Sequence, residues 1–309
     1  MGKKILLAVD DSVHSKNAVI YAAKIAPCVK DLSYLLLNIQ SCVSQFLEDE
    51  AKTNFKAKTA LEKAKKQNEE RSAGMLEKYK AQMIASGIDA SRIALKSLPR
   101  KTSLAHDILT YAQEGLYDAV LVGRRGISWV QEMFTESLSA DLADKSKLIP
   151  VWVVDGDITS TKIMIATDGS ESSLRAVDHL SFMVGHNPDV RITLFHVVPK
   201  LKDFCRIDFD EADKELEEVL IQGNKRCVES FLAHAFKKFK DSGIEKEQIE
   251  IREVTTMMNV GKAIAEEAQN RDYGTVVLGR RGISKAFYMG SVSQYVLDNM
   301  SNRAVWLCG

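Results

Sequence analysis

Short apolar runs alternate with longer stretches whose apolar residues recur every three or four positions. In the C-terminal half the short runs fall at 162–167, 191–197, 248–254, 274–278 and 304–308. They are rich in β-branched and aliphatic residues and show little period-2 alternation, a pattern that predicts strands of a parallel sheet buried on both faces. Between them, 171–185, about 209–241, 259–270 and 290–300 predict helices. In the longest, Leu216, Val219, Leu220, Gly223, Cys227, Phe231, Ala235 and Phe239 form one packing face. Strands separated by helices imply right-handed crossovers and a doubly wound α/β sheet.

The N-terminal half repeats this pattern. Ile5 to Ser12 matches Ile163 to Ser170 at an offset of 158, and Leu35 to Ile39 matches Thr193 to Val197 at the same offset. Ser86-Gly87-Ile88 matches Ser242-Gly243-Ile244 at 156, as do Gly123 to Ser128 and Gly279 to Ser284. Pro150-Val151-Trp152-Val153 matches Ala304-Val305-Trp306-Leu307 at 154. Drift of the offset at loops is what two diverged copies of one domain show. The seam falls at the polar turn Asp155-Gly156-Asp157, dividing the chain into domains 1–157 and 158–309.

The copies differ most at 48–85, a predicted helix whose first half is almost all Lys, Glu, Asn and Ala. Apolar residues return only at Met75, Leu76, Tyr79 and Met83. That first half reads either as a solvated helix held by charge pairs or as a projecting arm for a protein partner.

Composition narrows the function. The 309 residues are 45% hydrophobic and 27% charged, as in soluble globular proteins, with formal net charge +0. No global field draws in nucleic acid or an anionic membrane. Five scattered cysteines, with no Cys-x-x-Cys and no metal-ligand spacing, read as reduced thiols of a cytoplasmic protein. The apolar run Ile5 to Val9 is too short for a signal peptide or a membrane span.

The densest chemistry follows the predicted strand 274–278. Gly279-Arg280-Arg281-Gly282 comes there, then seven residues, then Gly290-Ser291 at a helix start. Glycines permit close backbone approach, and amides opening a helix attract anions. Gly279, Gly282 and the amides of Gly290, Ser291 and Val292 therefore form a candidate phosphate cradle. The hydroxyls of Ser291 and Ser293 add donors, and Arg281, with Arg280 beside it, adds charge. Asp168 ends the first strand of the copy, where a carboxylate meets a ribose, an adenine amine or a metal, or else caps the helix from 171. The backbone at Val197–Val198 is placed to bond an adenine edge. His196, beside it, reads as a packed, hydrogen-bonded core residue.

The duplicated pattern resembles the universal stress protein family in its tandem two-domain form. ATP-binding members of that family carry Gly-x2-Gly-x9-Gly-Ser/Thr after the fourth strand and an aspartate ending the first. Asp168, Gly279, Gly282, Gly290 and Ser291 fall on those positions, and Val197 on the residue that holds adenine through its backbone. Ala166 and Leu278, the strand residues leading into Asp168 and Gly279, and Val292, Ser293 and Arg281 complete the nucleotide-binding set. The resemblance covers 1–154 and 158–309. It implies, for each half, a Rossmann-like five-stranded parallel sheet of the adenine nucleotide alpha hydrolase-like type, in order 3-2-1-4-5 with helices on both faces. It also implies pairing of the halves through their last strands, 150–154 and 304–308, about a pseudo-twofold axis, and leaves room for a homodimer.

Two departures qualify it. The spacer from Gly282 to Gly290 is seven residues, not nine, so the loop 283–289 is tighter. In the first copy the spacer is nine, but Glu136 replaces the second glycine and Asp11 replaces the glycine matching Gly169. Glutamate adds bulk and negative charge beside a polyanion, so the first domain is expected to bind no nucleotide. Nothing demands catalysis. The six histidines are scattered, and neither a Walker lysine nor a Gly-x-Ser-x-Gly elbow is present. The expected function is a stress-response regulator binding ATP, with or without magnesium, in its second domain. The alternative is a nucleotide-free scaffold of the same fold; an enzyme of the nucleotide alpha hydrolase-like group ranks third.

Overall fold

The computed structural model describes residues 2–124, 149–199, 214–256, 259–280 and 290–309. In the first half β1 (Lys3–Ala8), β2 (Leu32–Gln40), β3 (Ile93–Pro99), β4 (Ala119–Gly123) and β5 (Val151–Asp155) are joined through α1 (Val13–Ile25), α2 (Gln45–Glu50), α3 (Phe55–Ala85) and α4 (Leu104–Glu114). The second half has β6 (Ile163–Thr167), β7 (Ile192–Pro199), β8 (Ile249–Thr256), β9 (Thr275–Gly279) and β10 (Arg303–Cys308). Its helices are α5 (Glu171–Val184), α6 (Lys214–Asp241), α7 (Val260–Asn270) and α8 (Ser291–Asn299).

All ten strands form one sheet, ordered β3-β2-β1-β4-β5-β10-β9-β6-β7-β8. Each half is the expected 3-2-1-4-5 parallel sheet. The halves join where β5 and β10 pair antiparallel, with Trp152 opposite Trp306. Successive strand residues face opposite sides, and both sides are covered. Ile5, Leu7, Leu36, Ile165 and Leu194 share one apolar layer with α1, α3, α5 and α6. Leu6, Leu35, Leu37, Met164 and Phe195 share the other with α4, α7 and α8. Each layer runs through both halves. That double burial is why the strands read as unbroken apolar runs.

At the join the two tryptophan rings stack with centroids 3.7 Å apart and an interplanar angle of 0°. Each indole also bonds a side chain of the opposite half. Trp152 Nε1 donates to His179 Nε2 of α5 at 3.1 Å, and Trp306 Nε1 donates to the Tyr21 hydroxyl of α1 at 2.9 Å. Tyr21 and His179 occupy equivalent positions in the two copies, so the contact is a pseudo-symmetric exchange of polar partners around an apolar stack.

The helix expected over 48–85 is two helices. Asn54 interrupts it: its side chain accepts from the backbone N–H groups of Lys56 and Ala57, capping α3 and ending the preceding turn. The apolar return places Leu76, Tyr79 and Met83 in the core, while most of the preceding stretch is exposed. Lys66–Glu70 and Lys65–Glu48 pairs lie along it at 3.9 and 3.6 Å. These contacts fit the solvated reading of that stretch. For the helix expected over about 209–241, residues 209–213 lie outside the described residues.

Candidate functional site

Strand pairing brings the ends of β6 and β9 side by side, with Ala166 opposite Leu278. β7 lies on the other flank of β6, with His196 opposite Thr167. The strand order reverses between β6 and β9, and open α/β sheets bind ligands in the crevice at the carboxyl ends of such strands. Ala166, Val197 and Leu278 are buried in one apolar layer, and Val292 packs against it. Of the four apolar residues expected at the site, Ala166 and Leu278 are paired across the strands, and Val197 and Val292 belong to the same layer.

Asp168 stands at the head of α5. Its Oδ1 accepts from the Ser170 N–H at 3.0 Å and the Ser173 hydroxyl at 2.5 Å. The helix cap is Ser170, whose Oγ accepts from the Ser173 N–H at 3.1 Å. Asp168 thus braces the cap without serving as it. No bond to Asp168 Oδ2 is present among the described residues. Gly169 has φ +78, a left-handed conformation that glycine adopts at no steric cost. Asp11, its counterpart, is not among the positive-φ residues, and its carboxylate pairs with Arg71 of α3. Asp10 Oδ1 accepts from the hydroxyls of Ser12 and Ser15 at 2.5 and 2.6 Å. The first copy has kept the brace and rebuilt the turn.

At Gly279 an added Cβ would come within 2.7 Å of the Ser172 backbone. At Gly123 it would come within 2.4 Å of the His14 backbone. In both copies this glycine lets a helix start sit directly on a strand end. It also places the starts of α5 and α8 at one strand end. α8 is tied there by two bonds: Ser293 Oγ donates to the Gly279 carbonyl at 2.8 Å, and the Gly290 N–H donates to the Arg280 carbonyl at 2.9 Å. Gly290 is the N-cap of α8 and supplies no side-chain acceptor, whereas α1, α4 and α5 are capped by Ser12, Ser103 and Ser170. The N–H groups of Ser291, Val292 and Ser293 have no intrahelical partner either. This helix start carries the partial positive charge of its dipole toward the crevice with no serine to quench it. Of the expected residues, Arg281 and Gly282 lie outside the described residues, as does the loop 283–289.

The arginine after the first glycine behaves differently from a phosphate ligand. Arg124 Nη1 donates to Asp155 Oδ2 at 2.9 Å and to the Met300 carbonyl at 2.7 Å, and its Nη2 donates to the Asp298 carbonyl at 3.1 Å. It therefore reaches from the first half onto the C-terminal end of α8 in the second. Arg280, its twin, is 6% exposed. This role was hidden in the sequence because the motif offers both arginines equally; only the join of the sheets separates them.

The first half has a cavity of about 310 Å³ at its own carboxyl edge, lined by Asp10, Asn38, Gln40, Arg100, Ile108 and Gly123 among others. Asn38 and His196 are equivalent residues. Asn38 Nδ2 donates to the Val9 carbonyl at 2.7 Å, and its Oδ1 accepts from Ser72 of α3 at 2.8 Å. His196 Nδ1 meets the Thr167 carbonyl at 2.8 Å, but its buried Nε2 has no partner among the described residues. The expectation of a packed, bonded histidine holds for one ring nitrogen. Among the described residues no cluster of three or more His, Cys, Asp or Glu is arranged to hold a metal. No described helix is long and apolar enough to cross a membrane.

The duplicated sheet is that of a known class. The profile of the universal stress protein family matches twice, over residues 1–155 and 159–303, and the chain belongs to that family. Its fold is similar to a universal stress protein from Archaeoglobus fulgidus, at 17% identity and TM-score 0.54, with 99% of this chain and 95% of that one covered. It is also similar to a functionally unknown protein from Pseudomonas aeruginosa, at 14% identity and TM-score 0.55, covering 99% and 92%. A universal stress protein solved in complex with cAMP matches at 24% identity and TM-score 0.35, over 48% of this chain and 96% of that one. No curated protein matches the chain in sequence.

Proposed function

We propose that this universal stress protein is a cytoplasmic stress-response regulator whose second domain, 158–309, binds ATP or a related adenine nucleotide without turning it over as its task. The observation that carries the reading is the start of α8. An N-terminus without a side-chain cap is fastened beside Gly279 at a topological switch point, with Asp168 bracing the neighbouring helix start. Ala166, Val197 and Leu278 supply an apolar wall for a base, and Asp168 Oδ2 a carboxylate oxygen for a ribose. Gly279, Gly290, Ser291, Val292 and Ser293, with Arg281 and Gly282, take the phosphates, with or without magnesium. Binding alters the surface offered to a protein partner. The first domain, 1–157, serves the fold and takes no ATP, because Glu136 stands where Gly290 does.

ATP at one hundred times its dissociation constant should raise the unfolding free energy by roughly 2.7 kcal/mol, read as a thermal shift with and without magnesium. Gly290→Glu, copying Glu136, should erase that shift and leave the ligand-free melting curve nearly unchanged, since Gly290 is partly exposed. If wild-type protein shows no shift at millimolar ATP and releases no nucleotide on denaturation, the scaffold reading replaces this one. If Gly290→Glu still binds ATP, the cradle lies elsewhere.

A further inference from the structure

Arg124 follows Gly123 at the end of β4, yet three of its hydrogen bonds lie at the domain join and on the C-terminal end of α8. α8 has nine residues, about 13 Å at 1.5 Å per residue. A helix this short is not stable alone and forms or frays as a unit set by its ends and its packing. Its N-terminal end is the candidate cradle, held by Ser293 Oγ on the Gly279 carbonyl. Its C-terminal end exposes carbonyls without intrahelical partners, and the Arg124 guanidinium takes those of Asp298 and Met300. A cation there also complements the negative end of the helix dipole. Asp155, from the last strand of the first domain, orients the guanidinium at 2.9 Å. In the second copy Gly309 stands at the position matching Asp155.

We infer that Arg124 is a positioning residue for the nucleotide site of the other domain: by gripping the C-terminal end of α8 it holds the N-terminal amides of Gly290 to Ser293 in place. The inference rests on the proposed nucleotide site. It makes that site a joint product of both domains, in which the turn of the domain not expected to bind ATP still shapes the cradle of its twin. Lysine cannot reproduce the grip, because a single ammonium lacks the planar fork that spans two carbonyls and a carboxylate at once.

Two measurements on the full chain test it. In the first, ATP is titrated into wild type, Arg124→Ala, Arg124→Lys and the control Trp152→Phe, which perturbs the domain join and leaves the clamp intact. The expected result is a roughly three- to tenfold loss of affinity for Arg124→Ala, an intermediate loss for Arg124→Lys and no loss for the control. Affinity equal to wild type in Arg124→Ala, or lost equally in the control, overturns the inference. In the second, amide hydrogen exchange is followed without ligand. Arg124→Ala should speed exchange along α8 back to the bonded amides of its first turn, Gln294, whose N–H donates to the Gly290 carbonyl, and Gly290, whose N–H donates to the Arg280 carbonyl. Faster exchange confined to 298–300 overturns the inference, whether or not wild type binds ATP. If wild type binds no ATP, the nucleotide reading falls, and exchange at Gly290 and Gln294 alone decides the positioning role.

Discussion

Replacing Trp152 by alanine is expected to lower the unfolding free energy by about 3–5 kcal/mol, the range for truncating a buried tryptophan. Three losses combine. The indole is fully buried at the join of the two sheets. Its ring faces Trp306 at 3.7 Å, so deletion opens a void bounded by the most polarisable surface in the interface. Its Nε1 is also the donor to His179 Nε2, which would be left buried and unpartnered. Trp152→Phe keeps an aromatic surface and should cost clearly less, while still losing the bond to His179. Urea denaturation of the three proteins measures the difference as a shift of midpoint at constant slope. A change below about 1 kcal/mol for alanine would mean that the join is not part of the cooperative core and that each half stands by itself.

The join shows what the sequence could and could not reveal. Trp152 and Trp306 fall at matching positions of the two terminal strands, and the family resemblance implies that those strands pair. The strands were legible because burial on both faces leaves an unbroken apolar run; β6 and β10 differ from their expected limits by one residue each. Helix limits were less legible where caps decide them. Asn54 splits the stretch before α3 through its side chain, a local bond that a hydrophobic pattern does not register. At the site, Asp168 offers a carboxylate to both readings from sequence, cap or ligand. Packing shows that Ser170 is the cap and that Asp168 bonds it through one oxygen. Gly279 likewise reads as a glycine for a ligand, whereas the Ser172 backbone beside it already accounts for its missing side chain. Arg124 was the least legible, because its partners lie about 175 residues away in sequence, on a helix of the other copy.

Stability should fall steeply with acid, with His179 as a principal cause. Its ring is partly buried between α5 and the tryptophan stack, and desolvation pushes its pKa down from the ordinary 6.5 to about 3, with Asp178 opposing. In the fold the ring stays neutral, since Nε2 must keep its lone pair for the Trp152 N–H. In the unfolded chain it takes up a proton below about pH 6.5. The unfolded state therefore binds more protons between pH 6.5 and 3. The stabilisation is complete above 6.5 and declines by at most about 1.4 kcal/mol for each pH unit below it, until the folded ring itself takes up a proton. Proteins of ordinary stability hold about 5–15 kcal/mol in all, so this one ring accounts for a large share of acid sensitivity. Tyr21, the equivalent residue under Trp306, cannot respond in this range, because burial moves its hydroxyl pKa further above neutrality. The acid response is therefore asymmetric: protonation breaks the Trp152 contact and spares the Trp306 contact. His179→Gln separates this effect from general carboxylate protonation, because an amide oxygen can accept from Trp152 without titrating. Unfolding free energy measured from pH 7 to 4 should fall less steeply in His179→Gln than in wild type, by about 1 kcal/mol per pH unit below 6. Parallel profiles for the two proteins would show that the ring finds water before the sheet opens, and that acid acts on this fold through its carboxylates instead.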